Sequence, residues 1–534
     1  MVDLERESPG GVSVRPRAAS PRWAVALCCL VGALALGLAL YPLTLPDALS
    51  GVHPNPSGYD DGVYVGAAIR LIHGVLPYRD YLFLQPPGIV VLMSPAALVG
   101  QLVNTDVALV TARLLTALVT GANALLVALI LRPRGRLAMI VGGGALALFP
   151  LSAAASAQDE LEPYVILLLL LAVLVGLSRP RPSTRRLIVA GALAGFAVAT
   201  KLPVVLPSAL LSLSFAPDWR RARAVAKGAL AGFVLPCLFF FGWAPRSALR
   251  EVFLDQLTRH DAGAFSLGER LVMIFGIGGA GAAPGRAGAA VALSVLFAVV
   301  TGAAYLLNRS GLGRLEWYIL AASLVVLGEL LAAHEFYDHY AYLTAALLAL
   351  LLGTVLSRVA EGIGRRRGQL NGARWRVIGA ELLLGSASLV AVGFGLPHVL
   401  AFERGYVNNS FNPAKPIDAA IAPGLCVTSD QVSLTIVANR FVPSRRGCPA
   451  VIDAYGMFIA NDLGHPPPGV PPPQSFVSQW YFDFVRSRAV VMRAPIDPYI
   501  AWNDALIDYF NLKYQLVSQT PGAAVYLHVP NRRA

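Results

Sequence analysis

Apolar runs separated by arginine clusters decide the fold class of this chain before any motif is considered. The runs fall near 23–43, 107–131, 137–152, 163–178, 187–200, 202–216, 226–244, 289–307, 315–333, 340–357 and 376–397. Each is close to the ~20 residues needed to cross the hydrocarbon core, or somewhat shorter. Only 14% of the 534 residues are charged, against about 25% in an ordinary soluble domain. A polytopic α-helical membrane protein with about eleven transmembrane helices is therefore expected. The formal charge of +12 is no nucleic-acid signal, because all but four of the 43 basic residues are arginines, as a GC-rich genome would give.

Those arginines set the expected orientation. Arg15, Arg17 and Arg22, then "RPRGR" (132–136), "RPRPSTRR" (179–186), "WRRARAVAK" (219–227), "NRSGLGR" (308–314) and "RRRGQLNGARWR" (365–376) form one set. The positive-inside rule places such loops in the cytoplasm, and eleven spans satisfy this with a cytoplasmic N-terminus. The first run is followed by Tyr-Pro rather than a small-residue cleavage site, so it reads as an uncleaved span. The expected division is a cytoplasmic segment 1–22, a transmembrane region 23–397 with a first external loop at 44–106, and an extracytoplasmic domain 398–534. The cell membrane is the expected location.

Within the tail, "LCVTS", "AVID", "AVVM", "KYQLVS" and "AAVYLHV" read as strands, and "DQVSLTIVANR", "QSFVSQWYFDFVRS" and "AWNDALIDYF" as helices. Together they predict a small α/β domain, interrupted by the proline-rich loop 464–474. Cys426 and Cys448 face an oxidising compartment on this topology, where a bridge is possible but the spacing does not prove one.

The loops opposite the arginines carry acids and histidines. Asp60 and Asp61 precede the periodic run "VYVGAAIRLIHG". A carboxylate there serves as a general base for a hydroxyl, or favours a helix start; one position serves both. "QDELEP" supplies Asp159 and Glu160, which either line the same cleft or are acids exposed at a membrane edge. Lys201 ends an apolar run, where a cation costs about 2.5–3.5 kcal/mol and usually has a function. Its alternative is snorkelling to the headgroups. "HEFYDHY" brings His339 and Tyr340 to a short turn. Its two histidines are five residues apart, where a helical zinc pair needs four, so no metal ligands are assigned. A divalent cation on the acidic loops stays possible.

With these pieces in place, the chain resembles the polytopic glycosyltransferases of the GT-C superfamily, of the protein mannosyltransferase and aminoarabinose transferase type. "YDDGVYVGAAIRLIHGVLPYRDYLFLQPPG" is similar to their first external loop, "QDELEP" to acids of their second, "GFAVATKLPVVLP" to a "T-K" stretch, and "FYDHYAYLTAALLAL" to a late segment. The second acid is Asp61 where that family more often has Glu.

The resemblance implies a polyprenyl-phosphate sugar donor and inverting transfer to an envelope glycan or protein outside the cytoplasm. Asp60 is then the base that deprotonates the acceptor. Asp61, with Asp159 and Glu160, orients that base or binds a cation, and Lys201 contacts the lipid phosphate with Arg79 or Arg259. A mannosyl- or arabinofuranosyl-type enzyme of cell-wall assembly is the expected form. A transporter or flippase of lipid-linked sugars is the alternative, although no inverted repeat is seen.

Overall fold

A computed structural model describes residues 21–53, 58–258, 265–278, 284–307, 311–367, 396–405, 407–442, 444, 446–461 and 471–529. The chain is mainly helical: α1 (Pro21–Leu40), α2 (Asp60–Ile72), α3 (Gly88–Leu102), α4 (Thr105–Leu131), α5 (Arg136–Ala147), α6 (Pro150–Ala157), α7 (Leu161–Leu177), α8 (Thr184–Thr200), α9 (Val205–Leu213) and α10 (Trp219–Trp243). Three more long helices follow, Pro284–Leu307, Arg314–Ala332 and Ala341–Arg367.

Among the described residues, six helices are long and apolar enough to cross a membrane, or seven if α5 and α6, bent by 60°, are one broken span. The expected spans at 163–178, 187–200 and 202–216 correspond to helices of 17, 17 and 9 residues. Leu202–Leu213 follows Lys201 with a proline at its start, which ends one helix and begins the next. The run 376–397 lies outside the described residues apart from its last two, as do residues 1–20 and most of the proline-rich loop.

Two close approaches fix the active end of the bundle. Gly191 and Gly195 on α8 face Gly228 and Gly232 on α10, and a Cβ on any of them would run into the other helix's backbone. This small-xxx-small pairing brings the helices into contact with no side chain between them, and so fixes α8, whose C-terminal end carries Lys201, against α10. Gly62 on α2 likewise lies against the backbone of Ser433, in the tail helix Val432–Val437.

The tail contains a four-stranded sheet in the order β1-β2-β4-β3. Strand β1 (Val427–Ser429) runs parallel to β2 (Ala489–Met492), while β3 (Tyr514–Thr520) and β4 (Ala523–His528) are antiparallel. "AVID" is not a strand: it is an unpaired segment that delivers Asp453 to the start of the helix Ala454–Ala460. Val432, Leu434 and Ile436 of the tail share one buried apolar cluster with Val63, Tyr64 and Ile69 of α2 and with Leu109 of α4. The tail is therefore packed onto α2 and α4 and does not stand apart from them.

Cys426 and Cys448 are bridged. The bridge closes a 22-residue separation, worth about 3 kcal/mol by chain-entropy reasoning. It also ties the segment before Asp453 to the start of β1. Cys426→Ser/Cys448→Ser is expected to lower the unfolding midpoint of the full chain by several degrees. An unchanged midpoint under non-reducing conditions would show that the bridge does not form.

Candidate active site

The first turn of α2 separates the acidic pair. Tyr59 is its N-cap residue and makes no side-chain cap, so Asp60 and Asp61 are the first two helical residues rather than the cap itself. Successive helical residues point about 100° apart, so both carboxylates cannot face one cleft. Asp60 is half-buried and lines a cavity of about 150 Å³. Asp61 is fully buried and pairs with Arg113 of α4, while its other oxygen accepts the Gly62 N–H at 2.6 Å. Arg113 also donates to the carbonyls of Ala48, Leu49 and Gly51 at 3.1, 2.8 and 2.9 Å. One buried guanidinium thus holds both the loop before α2 and the first turn of α2.

The second acidic cluster splits in the same way. Asp159 sits at φ 52, a left-handed turn that Asp tolerates better than most residues. Its Oδ1 accepts from Thr116 Oγ1 at 2.8 Å, away from the cavity. Glu160 lies against His339, 3.5 Å from Nδ1. Burial, and then the neighbouring Asp60 and Glu162 carboxylates, push Glu160 well above the usual carboxylate range.

Lys201 is buried and pairs with Glu162, and its Nζ lies 3.8 Å from the centre of the Tyr340 ring. His339 stacks on Tyr337 at 5.6 Å, with an interplanar angle of 7°. The tail closes the cavity. Tyr455 and Tyr499 line it, 4.7 Å apart, and Tyr337 and Tyr455 share a hydroxyl hydrogen bond at 3.0 Å. Tyr59 donates to Asp453 at 3.1 Å and accepts the Tyr455 N–H at 2.7 Å.

A second cavity, of about 1030 Å³, shares Gln85, Lys201 and Tyr340 with the first. It runs along apolar residues of α8, α9 and α10, including Val198, Leu206 and Phe233.

Asp60, Glu160, Lys201, His339 and Tyr340 are therefore assembled, whereas Asp61 and Asp159 stand behind the cavity wall. The structure does not bring Arg79 to it. The Arg79 side chain is taken up by Asp80 (2.9 and 2.6 Å), by the Gly74 carbonyl (2.9 Å) and by the face of Trp243. Arg259 lies outside the described residues.

The sequence reading missed Arg113, Glu162, Asp453, Tyr455 and Tyr499. An arginine inside the 107–131 run was a visible signal, since buried membrane cations nearly always have partners. No local pattern marked the tail residues.

No metal ligands were expected from the sequence, yet the fold brings three donor residues together. Asp60, Glu160 and His339 each offer a ligand atom, all within 4.8 Å of one another. Glu160 Oε2 is buried with no hydrogen-bond partner. This O/O/N donor set suits a divalent cation of the zinc type. The histidine-spacing rule looks along one helix, and these three residues come from three different segments.

Two comparisons with known proteins bear on this arrangement. Residues 83–333 match the model of glycosyltransferase family 87. The fold is similar to the crystal structure of ArnT from Cupriavidus metallidurans bound to undecaprenyl phosphate, with TM-score 0.59, 15% identity and coverage of 96% of this chain and 99% of that one. Its apo state gives 0.58, 16%, 95% and 98%. No curated protein matches this chain in sequence. With the family model lying over the helices that carry Glu162 and Lys201, and the fold shared along nearly the whole length, the chain is a membrane glycosyltransferase, similar to family 87 over residues 83–333 and to ArnT in its fold.

Proposed function

We propose that the chain transfers a sugar from a polyprenyl-phosphate donor to a hydroxyl of an extracytoplasmic envelope glycan or protein, with inversion at the anomeric carbon. The observation that carries this reading is the meeting of the two cavities at Lys201, Tyr340 and Gln85. A chamber of about 150 Å³ lined by Asp60, Lys201 and His339 shares part of its wall there with an apolar one of about 1030 Å³, and the shared wall carries a cation. The undecaprenyl phosphate bound by ArnT supports the same class of donor. On this reading the N-terminus and the arginine loops are cytoplasmic, the chain makes eleven spans, and the catalytic cavity and residues 398–534 are extracytoplasmic.

In the proposed step Asp60 takes the acceptor's hydroxyl proton. The acceptor oxygen attacks the anomeric carbon from the face opposite the phosphate. The carbon–oxygen bond to phosphate breaks, and the lipid phosphate leaves with the electron pair. Lys201 uses one N–H on Glu162 and has two others for the phosphate, whose charge grows along the reaction. Asp61, through Arg113, positions the helix that carries Asp60. A divalent cation, if bound, would be held by Asp60, Glu160 and His339 and would supply positive charge.

The test is incubation of the purified protein with a panel of polyprenyl-phosphate sugars and candidate glycan acceptors, followed by mass spectrometry, with and without chelator. A product with the acceptor enlarged by one sugar and lipid phosphate released supports the reading. Movement of the intact lipid-linked sugar across proteoliposomes without such a product overturns it.

Lys201→Met is expected to lower kcat by about 10²–10³-fold, the usual cost of losing one charge-stabilising donor. Because it also leaves Glu162 buried and unpaired, Lys201→Met/Glu162→Gln is the control. Equal loss of transfer in both variants assigns the effect to the missing cation. Recovery in the double variant would mean that the fault lay in Glu162.

A further inference from the structure

The arginine end of the bundle holds a cavity of its own, about 560 Å³, that the transfer reaction does not use. It lies among the C-terminal ends of α4 and α7, the N-terminal end of Arg314–Ala332, and Arg358 of the last long helix. Leu177 and Ser178 line it, whereas Glu162 of the catalytic cluster is near the other end of α7. At 1.5 Å per residue the two sites are about 20–25 Å apart along that helix, toward opposite ends of the bundle.

Four guanidinium groups line this cavity, from Arg134, Arg179, Arg314 and Arg358, against two carboxylates, Glu316 and Glu361. Glu316 is buried and already behaves as an anion in a cradle. It pairs with Arg134 at 2.5 Å, with Arg358 through Nε at 2.9 Å and again through Nη2, and with the Gly313 N–H at 3.1 Å. Those contacts occupy the inner arginines and draw the Glu316 carboxylate into an ion pair at the start of a helix. Arg179 and Arg314 remain at the rim and are exposed. Arg314 gives one N–H to the Pro180 carbonyl at 3.1 Å and lies over the Phe215 ring.

The depth of the cavity indicates the kind of anion. Trp219, four residues beyond Phe215, is 69% exposed at the start of α10, and Trp23 is 68% exposed with Arg136 over its ring. Exposed tryptophans of this kind mark the membrane–water boundary. The positive-inside rule accounts for arginines on this face, but it does not gather four of them around one hollow floored by Ile130, Leu177 and Leu315. Basic pockets between transmembrane helices at this level take lipid headgroups. We infer that this cavity binds the phosphate of an anionic phospholipid in the leaflet opposite the catalytic cavity, held at the rim by Arg179 and Arg314 over the Glu316 cradle.

The experiment titrates phosphatidylglycerol against a phosphatidylcholine background on the full-length protein and counts retained lipid by native mass spectrometry. Removing a basic residue near the headgroups weakens an anionic lipid about fivefold, so Arg179→Gln/Arg314→Gln is expected to retain phosphatidylglycerol roughly 25-fold less well. Arg179→Lys/Arg314→Lys should keep most of the affinity. If the double glutamine variant does not fold, as read from its unfolding midpoint in phosphatidylcholine, each single variant carries the fivefold expectation. Equal retention by wild type and the glutamine variants overturns the inference. Phosphatidylcholine held as tightly as phosphatidylglycerol also overturns it, and so does displacement of phosphatidylglycerol by inorganic phosphate, which would make the ligand a soluble anion.

Discussion

Asp60→Asn is expected to lower sugar transfer by about 10²–10⁴-fold, the usual contribution of a general base, with the loss in kcat rather than in KM. The substitution keeps size and hydrogen-bonding shape but removes the site that accepts the acceptor's proton. Asp60 is half-buried at the cavity, and the buried anchor of the loop is its neighbour Asp61, so the unfolding midpoint should stay at the wild-type value. The proximity of Glu160 and His339 allows a second use of Asp60, as a cation ligand. The two uses separate experimentally. If Asp60 is only the base, His339→Ala leaves substantial transfer and chelator has little effect. If it is a ligand, His339→Ala and chelator each reduce transfer as far as Asp60→Asn does. Full activity of Asp60→Asn in a lipid-supplied assay would remove Asp60 from the chemistry altogether.

The features visible in sequence were those encoded within one segment. The turn "GVLPYRD" is local: Asp80 accepts the Leu76 N–H at 2.7 Å, and Tyr78 sits at φ 66. The same locality explains Arg79, which is adjacent to Asp80 and pairs with it before any ligand is present. Helix periodicity divides Asp60 from Asp61, and it was available as soon as "DDGVYVG" was read as a helix. What the sequence could not show is convergence. Asp60, Glu160 and His339 meet only because α2, the turn before α7 and the turn before the last long helix end at one face. Asp453 and Tyr499 come from the tail, and the contact between Gly62 and Ser433 that brings the tail in depends on the absence of one side chain. The apolar cavity was equally hidden, since its walls are ordinary membrane residues whose spacing, and not their type, leaves it open.

The largest expected stability effect belongs to Arg113→Met. Arg113 and Asp61 have fully buried side chains, and breaking such a pair by removing one partner costs about 3–5 kcal/mol, because the remaining charge is left without compensation. Here the carboxylate is not the only group stranded. The carbonyls of Ala48, Leu49 and Gly51 lose their donor as well, and an unsatisfied buried acceptor costs about 1–3 kcal/mol. The three substitutions should therefore fall in a definite order. Asp61→Asn is expected to be the mildest: it takes the counter-ion from the buried Arg113 charge, but the guanidinium keeps all its acceptors, the three carbonyls and the new amide oxygen. Asp61→Leu/Arg113→Met is intermediate: the stranded charge is gone but the three carbonyls remain. Arg113→Met is the most severe, and protease should cut within residues 44–59 of that variant before the transmembrane helices lose structure. Unfolding midpoints and limited proteolysis in the same detergent measure the order. A double variant as stable as the wild type would show that the loop does not depend on Arg113, and that the pair serves Asp61 alone. An Arg113→Met protein with a wild-type midpoint and an intact loop would exclude it as the anchor that positions Asp60.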